Sequence, residues 1–214
     1  DGYLHVKPVV FWQQENLLQQ YLPNLDRYIV LSDYDKRDYM EKLGIDCEVK
    51  INPRSFVSEK KCDMKSKRFL MATRFVYAKG LDLMMESFEE FCKEDSEWEL
   101  DIIGDGDLFD QIRADAKKRH LEKRVHFVGY TNEPEKYYLN SSVFLLPSRW
   151  EGWPMVIMEA FEFGLPVIAY HMGAMDLIID DGKTGFLPEA FDHHKFAQAV
   201  LKLAHIVCNW NLRR

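Results

Sequence analysis

The sequence predicts an α/β protein built on a Rossmann-like parallel sheet with helices on both faces. Two observations carry the prediction. Short runs of strand length alternate with stretches of helical period along the whole chain. The short runs are continuously apolar rather than alternating, as strands covered on both faces are. At 214 residues, 47% apolar and 14% aromatic, the chain has ample material for a buried core. It is longer than one typical domain and shorter than two full ones.

The strand candidates, in order, are Lys7 to Trp12, Arg27 to Leu31, Glu48 to Asn52, Arg68 to Thr73, Trp98 to Gly104, Val125 to Val128, Val143 to Pro147 and Pro166 to Tyr170. Between them, Leu81, Met84, Met85, Phe88 and Phe91 fall at helical spacing, with charges on the opposite side. Leu108, Ile112 and Ala116 do the same after Asp107, which suits an N-cap. Phe196, Val200, Leu203 and Val207 mark a terminal amphipathic helix. A boundary is expected at Asn52-Pro53-Arg54-Ser55-Phe56, followed by a polar, charge-rich connector over residues 58–67. Residues 1–54 hold too few elements for a sheet domain of their own. Residues 55–214 hold enough for one complete Rossmann-like domain.

Composition excludes several classes. A net charge of −7, from 28 basic and 35 acidic residues, argues against a nucleic-acid surface or a basic membrane face. Cys47, Cys62, Cys92 and Cys208 show no C-x-x-C spacing, so they read as reduced thiols of a cytoplasmic protein rather than zinc ligands. No apolar run reaches the roughly 18 residues of a membrane span. The start, Asp1-Gly2-Tyr3-Leu4-His5, has neither signal-peptide layout nor initiator Met, and a fragment lacking its true N-terminus is expected.

The chemistry concentrates at strand ends, where open α/β sheets bind ligands. Residues 151–159 read Glu-Gly-Trp-Pro-Met-Val-Ile-Met-Glu, an E-x7-E pair after the apolar strand 143–147. Pro154 suits the first turn of a helix, where its missing N–H costs nothing. A helix N-terminus favours phosphate, and carboxylates nearby accept hydrogen bonds from sugar hydroxyls. A diphosphate at the helix end, a sugar on Glu151 and a ribose on Glu159 would use all three features. A solvated helix position explains Glu159 equally well when it is taken alone. Arg74 and Lys79 lie at the end of the strand 68–73 and the start of the next helix, where a diphosphate would sit, although taken alone a pair of solvated loop charges explains them better. The turn at Gly104 permits close approach of a base or ribose. Gly129 and Tyr130 lie on the same rim. The pairs Asp105-x-Asp107 and Asp33-x-Asp35 read as helix entries rather than metal ligands, and no metal is expected at the site. His126 reads as one face of a strand, His193-His194 as surface and helix entry, and Met155 and Met158 as core.

In this order the segments resemble the GT-B glycosyltransferases, specifically the family 4 group of retaining enzymes. The matching stretches are Ala72-Thr73-Arg74 with Lys79-Gly80-Leu81-Asp82, then Ile103-Gly104-Asp105-Gly106 and Val128-Gly129-Tyr130. The block Glu151-Gly152-Trp153-Pro154 to Glu159-Ala160 follows, then residues 164–169 and Gly182-x-x-Gly185-Phe186-Leu187. The resemblance implies that Arg74 and Lys79 hold a donor diphosphate. Glu151 with the backbone of Gly152, Trp153, Pro154 and Met155 holds the sugar and phosphate. Glu159 binds ribose, and Gly104, Gly129 and Tyr130 frame the base. It also implies a UDP- or GDP-sugar donor, no required metal or other cofactor, and a carbohydrate or lipid-linked acceptor. The latter would place the full-length protein peripherally at the inner membrane face. On this reading the chain is the C-terminal, donor-binding half with a remnant of the N-terminal domain, inactive alone. The chain departs from the pattern at Gln13-Gln14, where many relatives carry His. A GT-B sugar-nucleotide 2-epimerase and a non-catalytic nucleotide-sugar-binding module are the alternative readings.

Overall fold

The computed structural model describes residues 26–53 and 57–211. The strand expected at Lys7 to Trp12 and the Gln13-Gln14 departure lie outside the described residues. The chain divides into two compact units, Asp1–Asn52 and Pro53–Arg214.

The described part of the first unit is a βαβ turn of chain. Strand β1 (Ile29–Val30) pairs in parallel with β2 (Glu48–Val49), and helix α1 (Asp33–Leu43) joins them. Ser32 caps the helix: its Oγ accepts the Asp35 N–H at 3.1 Å and donates to Asp35 Oδ2 at 2.7 Å. The Asp33-x-Asp35 pair is thus a helix entry, as expected.

The second unit is a six-stranded, all-parallel sheet in the order β5-β4-β3-β6-β7-β8. Its strands are β3 (Arg68–Ala72), β4 (Glu99–Ile103), β5 (Val125–Gly129), β6 (Val143–Leu146), β7 (Val167–Ala169) and β8 (Gly185–Phe186). The connecting helices are α2 (Leu81–Glu94), α3 (Phe109–Lys118), α4 (Pro134–Leu139), α5 (Met155–Glu162) and α6 (Met175–Ile178), and α7 (His193–Asn211) closes the chain. Every residue of β6 and β7 is buried, and all but the first of β3 and β4 are. This is the continuous burial that the unbroken apolar runs imply.

Aromatic rings fill the space between α2 and the sheet. Phe69 of β3 stacks on Trp98 at 4.5 Å and meets Phe91 of α2 edge-on at 5.2 Å. At the opening ends of β3 and β4, Arg68 bridges Glu99 and Asp101 at 2.7 and 2.8 Å. His126 of β5 joins this group through Glu99 at 2.8 Å, so it serves the strand face.

Three local expectations are corrected. Asp107 does not cap α3: Leu108 holds the capping position, with no side-chain bond to the helix. Pro154 occupies the capping position of α5, with φ −73° and ψ 100°, rather than its first turn. Extended ψ at that residue aims the chain into the helix from outside it. Strand β8 was not foreseen as a strand, because two residues beginning with Gly carry no β pattern.

Candidate active site

Strands β3 and β6 are neighbours, although β4 and β5 lie between them in sequence. The chain runs outward from β3 to β5 on one side, then returns to build β6 to β8 on the other. The connections leaving β3 and β6 therefore diverge, and a crevice opens at their carboxyl ends. A cavity of about 360 Å³ occupies this point. Its polar lining includes Thr73, Arg74, Lys79, Tyr130, Thr131 and Glu151, and its apolar lining Ala72, Ile103, Leu146 and Val156. Gly104 also borders it.

The centre of the site joins the two halves of the sheet. Lys79, from the connection after β3, donates to Glu151 Oε1 at 2.7 Å. Ser148, from the connection after β6, donates to the same oxygen at 2.6 Å. The Glu151 side chain is only 8% exposed and that of Lys79 20%, so the pair is shielded from bulk water. Arg74 is exposed at the rim.

Two glycines explain how the backbone reaches this geometry. Gly80 has φ +63°, and a Cβ there would lie 2.0 Å from the Pro147 carbonyl oxygen. Only glycine lets the Lys79 turn press against the end of β6. Gly104 has φ +125°, and its Cβ would lie 1.8 Å from the Thr73 carbonyl oxygen. Its requirement is thus met by the neighbouring chain on the protein's own side.

Sequence reasoning missed the residue that fixes the Lys79 turn. Arg149 binds Asp82 in a fork, Nη1 to Oδ1 at 2.7 Å and Nη2 to Oδ2 at 2.6 Å. Its Nη1 also donates to the Tyr77 carbonyl at 3.0 Å, and its guanidinium lies 4.0 Å from the Tyr77 ring centre. The Arg149 N–H donates to the Ala78 carbonyl at 2.8 Å. Both connections at the switch point are stapled together by this one residue. Burial opposes ionisation of Asp82, but the Arg149 hydrogen bond and charge outweigh it and hold the carboxyl below its usual range.

Glu159 stands on α5 and does not line the cavity. It accepts a hydrogen bond at 2.8 Å from Tyr138 of α4, a buried ring stacked on Phe163 and Phe144. Burial first, then the charge and hydrogen bond of Glu159, pushes the Tyr138 hydroxyl well above the usual tyrosine range, so it remains a donor. Gly129, Gly152, Trp153, Pro154 and Met155 are likewise outside the cavity lining. Gly152 is exposed and Pro154 buried. The Trp153 indole N–H is buried without an acceptor, in the loop that follows Glu151. Among the described residues, neither Asp pair gathers a third metal-ligating side chain.

The family described as glycosyl transferases group 1 matches residues 54–207. The chain belongs to this family. Among group 1 glycosyl transferases and related proteins, it is 29% identical over 167 residues to an uncharacterized glycosyltransferase of Haemophilus influenzae, covering 77% of this chain and 47% of that one. It is 34% identical over 120 residues to the amylovoran biosynthesis glycosyltransferase AmsD of Erwinia amylovora, covering 55% and 34%. A TarM variant of S. aureus, solved with fondaparinux, alpha-GlcNAc-glycerol and UDP, superposes with a TM-score of 0.80 at 23% identity, over 91% of this chain and 40% of that one. That likeness shows the α/β, Rossmann-like fold of a GT-B C-terminal domain. The chain spans less than half the length of each of these three proteins. Among the described residues, no helix is long and apolar enough to cross a membrane.

Proposed function

We propose that this group 1 glycosyl transferase chain is the donor-binding half of a retaining enzyme. The enzyme moves a sugar from a nucleotide-diphosphate sugar to an acceptor hydroxyl. The observation that carries the reading is the Lys79–Glu151 contact across the switch point, inside a cavity of about 360 Å³. Donor binding would exchange this pair for ligand contacts: Lys79 and Arg74 on the diphosphate, Glu151 on the sugar hydroxyls. The two cations then stabilise the charge that grows on the departing diphosphate. The bond from the sugar C1 to the diphosphate oxygen breaks, and a bond from C1 to the acceptor oxygen forms on the same face. The acceptor proton passes to the leaving phosphate oxygen. From beyond the cavity lining, Gly152 to Met155 would meet the sugar and phosphate and Glu159 the ribose, while Gly104 and Tyr130 at the cavity, with the neighbouring Gly129, would frame the base. Tyr138 holds the Glu159 carboxylate at a fixed angle for that contact.

A UDP- or GDP-sugar is the proposed donor, and the UDP seen in the TarM structure supports the first. A carbohydrate or lipid-linked acceptor is the proposed partner. A lipid-linked acceptor would bring the full-length protein to the cytoplasmic membrane face.

In the full-length protein, Glu151→Gln and Arg74→Ala should each lower kcat about a hundredfold or more. The product's anomeric configuration, read by NMR, should match the donor's. Wild-type rates in both variants would overturn the residue roles. An inverted product would overturn the mechanism. Epimerised donor formed without acceptor would replace transfer with epimerisation.

A further inference from the structure

We propose that Glu90, His193 and His194 form a zinc site that clamps α7 to α2, remote in role from the donor cleft. Among the described residues, they are the group of three metal-ligating side chains whose ligand atoms all lie within 4.8 Å of one another. His194 Nδ1 lies 2.5 Å from Glu90 Oε2, and the two imidazole rings are 4.0 Å apart. A tetrahedral ion with bonds of about 2.0–2.1 Å needs donor atoms slightly more than 3 Å apart. Small side-chain rotations bring the three onto one ion.

The scaffold is suited to hold them. Glu86 and Glu90 share one face of α2, four residues apart, and meet His193 and His194 in turn. Glu86 Oε2 lies 3.6 Å from His193 Nδ1 and its Oε1 3.8 Å from Arg119 Nη2, which sets a carboxylate beside the imidazole, as outer carboxylates stand at metal sites. On α2, Phe88 and Phe91 are fully buried. At the start of α7, Asp192 Oδ1 accepts the Lys195 N–H at 3.0 Å, and Phe196 is fully buried. The ligands therefore stand on two anchored helices rather than on loops.

The ligand chemistry selects the ion. Two imidazoles and a carboxylate, with no thiolate, suit Zn²⁺ and its neighbours Co²⁺ and Ni²⁺. Mg²⁺ and Ca²⁺ require oxygen donors. Glu90 and the histidines belong to different segments, 104 residues apart between Glu90 and His194, so the ion would join elements distant in sequence. Bound to the folded form alone, it would raise stability.

The test is calorimetric titration of the 214-residue chain with Zn²⁺, paired with thermal melting. One saturable ion per chain is expected, with a raised melting temperature reversed by EDTA and no effect of Mg²⁺. His194→Ala and Glu90→Gln should each weaken binding at least about tenfold, since even outer partners of a metal contribute that much. Both side chains are partly or fully exposed, so melting of the ion-free variants should match wild type. The Co²⁺-loaded chain should show visible absorption bands that disappear in the His193→Ala/His194→Ala double variant. Absence of saturable Zn²⁺ binding by the wild type would overturn the proposal. So would binding that survives intact in the double variant, which would place the ion on the thiols or elsewhere.

Discussion

Lys79 reaches Glu151 because Arg149 fixes the turn that carries it. The guanidinium fork on Asp82, the Tyr77 carbonyl and the Tyr77 ring together make three geometric demands. Lysine satisfies none of them with a fork. Arg149→Ala in the full-length enzyme should therefore lower kcat/KM about a hundredfold through misplacement of Lys79. Arg149→Lys should recover only part of it, and Arg149 itself does not line the cavity. Equal, near-wild-type kinetics in both variants would remove its positioning role. The same pair sets an acid dependence. The folded Asp82 carboxyl titrates below its unfolded value of about 3.9. Its contribution is therefore complete above that pH and lost as pH falls through the lower folded value. Melting curves of wild type and Asp82→Asn should differ at neutral pH and converge in acid; parallel curves down to pH of about 2 would contradict the sign. None of this was legible in the sequence. Arg149 and Asp82 are 67 residues apart, and Tyr138 and Glu159 lie on different helices 21 apart. No local pattern links such pairs, since only the folded sheet brings them together.

At the scale of elements, the sequence was readable where burial sets the pattern. The apolar runs 68–73, 98–104 and 143–147 became β3, β4 and β6 because strands buried on both faces need no polar partner residues. Helix α2 followed from its spacing alone. The misses lie where backbone geometry decides: Pro154 at the capping position, the uncapped start of α3 and the two-residue β8. Glycine gives the sharpest case. Gly104 borders the cavity, as a ligand-facing glycine would, and at the same time it lets the Thr73 carbonyl pack against its backbone. Gly104→Ala should thus destabilise the chain without any ligand, by more than about 1 kcal/mol from backbone strain before any clash is counted. Chemical denaturation measures this directly; an unchanged midpoint would contradict the close packing of Gly104 on the Thr73 carbonyl. Gly80→Ala should behave likewise and also displace Lys79.

At the scale of the molecule, strand order makes the site. Reversal between β3 and β6 places Arg74 and Lys79 on one wall of the crevice and Glu151 on the other. Their place at the cavity was legible because they lie in the connections that follow apolar runs, where an α/β sheet presents its ligands. The proposed acceptor side was not legible, since the chain spans less than half the length of the three proteins compared with it. Alone, the chain should bind nucleotide and transfer sugar negligibly, because transfer needs an oriented acceptor and exclusion of water. Turnover at full-length rates would contradict the two-half account. The most direct test of the central claim is calorimetric titration of the wild-type chain and Arg74→Ala with UDP and GDP. Arg74 is exposed and its removal leaves the Lys79–Glu151 pair in place, so the variant keeps its fold. Saturable binding of one nucleotide by the wild type, weakened about tenfold or more in the variant, is the predicted result. Equal affinity of the two proteins, or binding of neither nucleotide, would contradict a diphosphate site at the carboxyl ends of β3 and β6.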